Sequence, residues 1–284
     1  MARVRDVTLR DVMQSLPVVV PTAAKVELYR QLLAAGIEEA QVTSFVSPKR
    51  LPQLADAEAL WDALTPLPGV KSALIANVKG YQRARAVGAD RLEMVLAISP
   101  TYHKKNSGRA REETWAETAE MAPDANAAGV YLAIVLSNTW HCHFEGETPM
   151  KSLLHWVDRV AKLEVPELGL ADTTGAAQPE EVYRRVRAVR NAFPHVFVRV
   201  HLHEGGAGLD NLRAALDAGA DGFDAALLGL GGSPFAGEVV GNLDLRKLHE
   251  AGLVELDPDR LGRAEDVLKR RVTQGQGAAQ EKKG

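Results

Sequence analysis

Eight short apolar runs, each followed by a stretch of helical periodicity, and a recurring junction of a small residue or Val with Gly predict a closed (β/α)8 barrel. The junctions are Ala35-Gly36, Val87-Gly88, Ala128-Gly129 and Ala218-Gly219, each placed where a helix gives way to a strand. Gly is the residue that accepts the left-handed backbone such a tight helix end requires. Length agrees: 284 residues, 46% hydrophobic and 25% charged, supply a large core, and barrels of this kind commonly run to about 250 residues as one domain.

The first strand is expected over residues 4–11. In the stretch 25–35, Val26, Tyr29, Leu32 and Leu33 share one helical face. Residues 40–46 read as the second strand, followed by a polar, proline-containing loop and a helix from near Asp56. The remaining strands are expected at 73–78, 92–98, 130–136, 168–172, 196–203 and 222–228. Helices fall between them at 82–87, from about Glu112, at 152–163, at 179–193 and at 209–218. After the fourth strand, His103-Lys-Lys-Asn-Ser-Gly reads as a loop. Residues 258–272 read as one extra helix and 274–284 as a short polar, disordered tail, so 1–273 is expected to be a single domain. Glu38, Glu39 and Asp221 fall at the opposite end of the barrel from the functional loops and are expected to face solvent.

A net charge of −3 and a pI near 6.3 give no general attraction to nucleic acid or to an anionic membrane. No apolar run approaches the ~18 residues that span a bilayer, and the opening MARVRDVTLRD lacks the apolar core of a secretory leader. Cys142 is the only cysteine, so no intramolecular disulfide can form and a cytoplasmic location is expected.

The chemistry concentrates on the seventh run, Val196-Phe-Val-Arg-Val-His201-Leu-His203, which breaks at Gly205-Gly206. Side chains alternate along a strand, so His201 and His203 share one face and Leu202 takes the other. Two imidazoles at a strand end can share a metal ion, or can be two unrelated polar residues where a strand meets solvent. Other strands decide between these. Functional groups of such barrels sit on the loops after the strands. There the chain places Arg10-Asp11, Gln41 with Thr43-Ser44, Lys104-Lys105-Asn106, Asp172-Thr-Thr-Gly175, and Gly229-Leu-Gly-Gly-Ser233-Pro-Phe-Ala236 with Asn242. Asp11, His201 and His203 offer a carboxylate and two imidazoles, which suit Mg²⁺ or Mn²⁺, or else Zn²⁺ or Fe²⁺.

Several of these segments, in this order from about residue 4 to 250, resemble hydroxymethylglutaryl-CoA lyase and its relatives among the metal-dependent (β/α)8 lyases (the DRE-TIM metallolyases). They are Leu9-Arg10-Asp11 with Gln14, Thr43-Ser-Phe-Val-Ser-Pro-Lys49, Lys104-Lys-Asn106, Cys142-His-Phe-Glu-Gly146, Ala171-Asp-Thr-Thr-Gly175, His201-Leu-His203 and Gly229 through Asn242. The resemblance implies that Asp11, His201, His203 and Asn242 hold a divalent cation. It implies that Arg10 stabilises an enolate oxygen and that His201 helps to move the substrate hydroxyl proton. Asp172 is given a role at the site. The implied reaction splits a 3-hydroxyacyl-CoA, hydroxymethylglutaryl-CoA or a close analogue, between C2 and C3. A dimer is also implied.

Two departures strike proton handling. Ser233 stands where the family has a cysteine that protonates the enolate product, and Gln41 stands where it has a glutamate. Glu204 follows the His-x-His where Asp is usual, and Thr8-Leu9 precede Arg10 in place of Gly-Pro. The losses at 233 and 41 leave two alternatives open: related carbon–carbon chemistry on a free hydroxy or oxo acid, or a ligand-binding homologue of weakened activity. Lys104, Lys105 and Asn106 either meet CoA phosphates or are simply solvated. His141, Cys142 and His143 read as lining of the active face rather than as a ligand set.

Overall fold

The computed structural model describes residues 2–205, 207–232 and 240–281, with side chains through residue 271. Eight parallel strands close on themselves. They are β1 (Arg3–Asp6), β2 (Glu39–Ser44), β3 (Val70–Ile75), β4 (Arg91–Ala97), β5 (Tyr131–Ser137), β6 (Glu167–Ala171), β7 (Phe197–His201) and β8 (Gly222–Ala225). Each pairs with its neighbours in sequence, and β1 meets both β8 and β2, where Asp6 lies opposite Ala40. The expected (β/α)8 barrel is therefore the fold. A two-stranded ribbon, His141–Cys142 against Gly146–Glu147, decorates the loop after β5.

The helices are α1 (Thr22–Ala34), α2 (Ala57–Leu64), α3 (Val78–Ala86), α4 (Pro100–Ser107), α5 (Arg111–Ala127), α6 (Met150–Ala161), α7 (Pro179–Ala192), α8 (Gly208–Asp217), α9 (Leu245–Glu250) and α10 (Pro258–Glu281). Their starts follow local chemistry. Asn77, Ser99 and Asp244 each accept a backbone N–H of the first turn of α3, α4 and α9. At the expected junctions, Gly36 and Gly219 turn out of their helices with φ near +100°.

Four expectations need correction. The first strand ends at Asp6, and Thr8–Val12 winds into a π-helical turn that continues as a short helix, Met13–Ser15. The Asp6 carboxylate accepts from Thr8 N at 3.0 Å and Thr8 Oγ1 at 2.7 Å, which turns the chain away from extended backbone. Residues 103–108, read as a loop, belong to α4 and its left-handed Gly108 terminus, because Ser99-Pro100 is a strong helix start. Glu39 is buried rather than exposed, as its carboxylate is drawn into the barrel by Arg199. The last helix runs past the end expected at 272 and through residues 274–281, read as part of a disordered tail, because Gln, Ala and Glu there sustain a helix.

Alternation along the strands sends Leu92, Met94, Val198, Val200 and Phe223 outward beneath the helices, and sends Arg5, Glu39, Gln41, Glu93, Arg199 and Asp224 into the barrel. Arg199 on β7 reaches Glu167 at 2.6 Å and Glu39, three strands away around the barrel, at 3.0 Å. Arg5 grips Asp224 with two hydrogen bonds of 2.8 and 2.9 Å and pairs with Glu93 at 2.7 Å. A layer of charge, two guanidinium groups facing four carboxylates, thus fills the lumen beneath the mouth.

Replacing Arg199 by Ala leaves Glu39 and Glu167 buried without their partner, and chemical denaturation should show a loss of about 3–5 kcal/mol. Lys162→Ala, which breaks an exposed pair with Asp158, should cost less than ~0.5 kcal/mol. Equal losses in the two variants would contradict a charge layer that bears on stability. A second expectation concerns pH. Burial raises the Asp6 carboxyl from 3.8 to about 7 despite the hydrogen bonds from Thr8. Between these values the folded chain holds a proton that the unfolded chain has released, so this group's contribution is full below pH 4 and is lost as pH rises to 7. Asp6→Asn should remove that downward slope from a plot of unfolding free energy against pH, and an unchanged slope would exclude the assignment.

Candidate active site

The C-terminal ends of the strands gather the expected residues. The π-helical turn after β1 carries Arg10 and Asp11, both buried, to the mouth of the barrel. The Asp11 carboxylate receives Arg10, Gln14 Nε2 at 2.9 Å, Asn242 Nδ2 at 2.8 Å and Gly232 N at 3.0 Å. Burial by itself would raise its pKa. The Arg10 guanidinium, His201 and the two hydrogen bonds from Asn242 and Gly232 instead hold it well below the ordinary carboxylate range, so Asp11 is ionised. Gly231 makes this approach possible: its φ is +102°, and a Cβ there would run into the Asn242 amide and meet Asp11 at 2.6 Å.

β7 delivers the two histidines with their rings 5.0 Å apart and nearly perpendicular. His203 Nδ1 lies 2.6 Å from the Asp172 carbonyl oxygen. A carbonyl only accepts, so Nδ1 carries the hydrogen and Nε2 keeps its lone pair. Burial, with His201 adding to it, pushes the His203 pKa down to about 4, so the ring is neutral near pH 7. His201 Nδ1 lies 3.0 Å from Asp224 Oδ2. Asp224 would be raised by burial, but Arg5 and His201 hold it below the usual range, so this contact too places the hydrogen on Nδ1. A second polar partner that fixes ring orientation and tautomer is the usual support of a working imidazole.

Two more groups complete the mouth. Asn242 Nδ2 donates both to Asp11 and to the Leu230 carbonyl at 2.7 Å. Both partners are acceptors, which fixes the amide and turns Oδ1 the other way. Among the described residues, that oxygen and His203 Nε2 are buried without a hydrogen-bond partner. Asp172 caps its own loop through Ala177 N at 3.2 Å, while its other oxygen is buried and unpartnered. Burial raises its pKa to about 6, offset in part by backbone N–H groups of the loop.

Gln41 joins this group by accepting from Arg10 Nε, and it donates to Glu93 Oε1 at 2.8 Å. Lys104, Lys105 and Asn106 stand apart, exposed on α4, where Lys105 lies over the Phe144 ring at 4.9 Å. Ser233 and Gly206 lie outside the described residues. Cys142 is buried against Ser99 Oγ at 3.1 Å. Among the described residues, no group of three or more His, Cys, Asp and Glu side chains is arranged to hold a metal by itself. The donors on offer at the mouth are therefore a mixed set in which the Asn242 amide oxygen counts. Glu204 reaches back to α9, accepting from Asp244 N at 3.3 Å and pairing with Lys247 at 3.1 Å. An open cleft of about 480 Å³ lies beside the mouth, lined by Ser99, Arg111, Glu145, Thr148, His155 and Trp156, and contains none of the expected site residues.

Sequence reasoning missed Asp224, Glu93 and Arg5. For Glu93 and Asp224 the signal was present, since each is a charged residue among mostly apolar neighbours in its strand, one full alternation from another inward residue; Arg5, in Arg3-Val-Arg-Asp6, stands among other charges. Histidine ring ¹⁵N spectra should show His201 and His203 as Nδ1–H tautomers. In Asp224→Ala the His201 pattern should become mixed while His203 stays as it was, and an unaltered His201 would rule out Asp224 as the group that orders it.

Comparison with known proteins places this geometry. The HMGL-like family model matches residues 2–256. A (R)-citramalyl-CoA lyase of Chloroflexus aurantiacus is 32% identical over 250 residues, 84% of this chain and 79% of the relative. A mitochondrial hydroxymethylglutaryl-CoA lyase of Mus musculus is 31% identical over 243 residues, 85% of this chain and 75% of the relative. Among solved structures, an HMG-CoA lyase from Acinetobacter baumannii in complex with coenzyme A and 3-methylmalate superposes with a TM-score of 0.89 at 32% identity, covering 96% of this chain and 92% of the other. One from Brucella melitensis gives 0.86 at 32% identity, covering 95% and 98%. The chain belongs to the HMGL-like family and is a carbon–carbon lyase on a (β/α)8 barrel.

Proposed function

We propose that this lyase cleaves a 3-hydroxyacyl-CoA bearing a tertiary hydroxyl, with a divalent cation, between C2 and C3. The observation that carries the reading is the convergence at one barrel mouth of ionised Asp11, the adjacent Arg10 and two imidazoles whose Nε2 lone pairs are left available. Support for the substrate class comes from the relatives, named for hydroxymethylglutaryl-CoA and for citramalyl-CoA, and from the solved neighbour holding coenzyme A. Both named acyl groups carry a methyl, a hydroxyl and a carboxylate on C3, directly in citramalyl and through one CH2 in hydroxymethylglutaryl, so the same bond cleavage serves either.

The donor set fits a hard or borderline cation: an ionised carboxylate, a neutral imidazole and an amide oxygen, the last two buried without partners. Asp11, His203 and Asn242 would hold it, with His201 at the edge of the set. When bound, such an ion polarises the substrate's oxygen atoms and stabilises charge on them. One lone pair cannot hold a cation and accept a proton at once. His201 is the less buried of the two histidines and has ionised Asp224 behind it, which suits Nε2 to take the C3 hydroxyl proton while Asp224 stabilises the imidazolium. The O–H electrons then form the ketone, the C2–C3 pair moves into the thioester, and the Arg10 guanidinium faces the developing enolate oxygen. C2 finally takes a proton. The Ser233 hydroxyl is too weak an acid for that step, so water is assigned as its source. Lys104 and Lys105, exposed on α4, are assigned to the CoA phosphates.

The test is acetyl-CoA release from hydroxymethylglutaryl-CoA and from (R)-citramalyl-CoA by chelator-treated protein, with and without Mg²⁺ or Mn²⁺. Metal-dependent release is expected with one of them. His203→Ala should lower Mn²⁺ affinity, read by calorimetry, on the order of 10- to 100-fold and lower turnover with it. Ser233→Cys should accelerate release if return of the proton to C2 limits the rate. Silence of both the unmodified protein and Ser233→Cys towards both thioesters, with Mn²⁺ bound, would sink the CoA reading in favour of a free hydroxy or oxo acid or a binding role.

A further inference from the structure

We infer that Glu93 is a positioning residue for Arg10, acting through Gln41, and that Gln41 and Glu93 form one functional unit. Arg10 Nε donates to Gln41 Oε1, Gln41 Nε2 donates to Glu93 Oε1 at 2.8 Å, and Glu93 Oε2 pairs with Arg5 Nη2 at 2.7 Å. All four side chains are buried, with Gln41 fully so. Direction in this chain is forced. A guanidinium only donates and a carboxylate only accepts, so the amide between them has a single orientation and cannot turn without losing both bonds. Arg10 also touches Asp11 through Nη1, and two contacts on different edges fix the plane of the guanidinium at the mouth.

The pair explains the neutral residue at 41. A glutamate there would set two carboxylates 2.8 Å apart in a buried site, and one of them could not remain ionised. With glutamine the negative charge sits further from Arg10, two strands round the barrel on β4, and the amide transmits its pull. The same Glu93 is anchored by Arg5, which holds Asp224 behind His201. Arg5 therefore sits at the root of two arms, one ending at the proton-carrying histidine and one at the enolate-facing arginine.

The inference rests on the proposed lyase reading only for its kinetic arm. The other arm reads Arg10 directly, through its Nε–H resonance in ¹⁵N-arginine-labelled protein, assigned with Arg10→Lys. Glu93→Gln should move that resonance and lower kcat by on the order of 10- to 100-fold with KM within about twofold, on whichever thioester the unmodified protein cleaves. Gln41→Glu alone should also be impaired and should melt earlier. The double variant Gln41→Glu/Glu93→Gln keeps the net charge and the link from Arg10 through 41 to 93, with the 41–93 bond reversed and the carboxylate moved from β4 to β2, and its kcat should return to within about threefold of the starting protein. Should Glu93→Gln melt too early for kinetics, Gln41→Leu breaks the middle link without removing a charge and should show the same kcat loss. A double variant no better than the poorer single, or an unmoved Arg10 resonance in Glu93→Gln, overturns the inference. An Arg10 resonance that moves in a protein that cleaves neither thioester upholds it and counts against the lyase reading alone.

Discussion

Arg10 and His201 at the mouth of this barrel stand on ion pairs inside it. Barrel lumens are usually filled by layers of branched aliphatic side chains. Here Arg5 and Arg199 occupy that space, facing Glu39, Glu93, Glu167 and Asp224. Taking such groups out of water is expensive, and a paired charge in the interior stabilises little compared with a well-packed apolar residue. Removing one partner is another matter, since the remainder is then buried and unbalanced. The layer is therefore best understood as an arrangement that fixes geometry. Its charges come from β1, β2, β4, β6, β7 and β8, so the strands that carry the functional groups are tied at a common level just below them.

From that level two side chains reach upward by contact with a third. Asp224 accepts the hydrogen bond from His201 Nδ1, and Glu93 accepts from the Gln41 amide, which in turn accepts from Arg10. Both arms make a flexible or tautomerising group adopt one state: the imidazole with its lone pair on Nε2, and the guanidinium with its plane set. Preorganisation of this kind lowers the reorganisation that the reaction itself must drive. Asp11 receives its order from the opposite direction, from the loops after β1 and β8 through Gln14, Asn242 and Gly232.

Most of the fold was legible because its signals are local. The Ala-Gly and Val-Gly junctions announce tight helix ends, and the alternation Arg199, His201, His203 against Val198, Val200, Leu202 announces which face each side chain takes. Two elements escaped for a definite reason. Val4-Arg5-Asp6-Val7 has the pattern of a strand that continues, and only the side chain of Asp6, folding back on Thr8, ends it. The polar string after Ser99-Pro100 looks like a loop by composition, whereas its cap and its proline at the first turn make it a helix. Of the candidate site, the groups that face outward into the mouth were found. Those that lie one alternation deeper were not, because a charged residue inside a strand does not reveal from sequence which strand across the lumen will neutralise it. Glu39 and Arg199, 160 residues apart, meet only once the barrel closes.

The contact between Arg10 and Asp11 carries two effects of opposite sign. The guanidinium keeps the neighbouring carboxylate ionised despite burial, which any cation site needs. It also occupies one carboxylate oxygen and adds positive charge beside the position a dication would take. Asp11 divides these contacts between its oxygens: Oδ1 accepts from Arg10 and Gln14, and Oδ2 accepts from Asn242 and Gly232. Tying Arg10 to Gln41 by Nε keeps its guanidinium at the Oδ1 edge of the carboxylate. The neutral glutamine is what allows that tie without drawing the guanidinium off Asp11, since a carboxylate at 41 would compete for Arg10 on equal terms. Substitution of a charged by a neutral residue next to the reacting groups is thus compatible with retained order at the site, provided the charge reappears across the lumen within reach of that residue, as it does on β4.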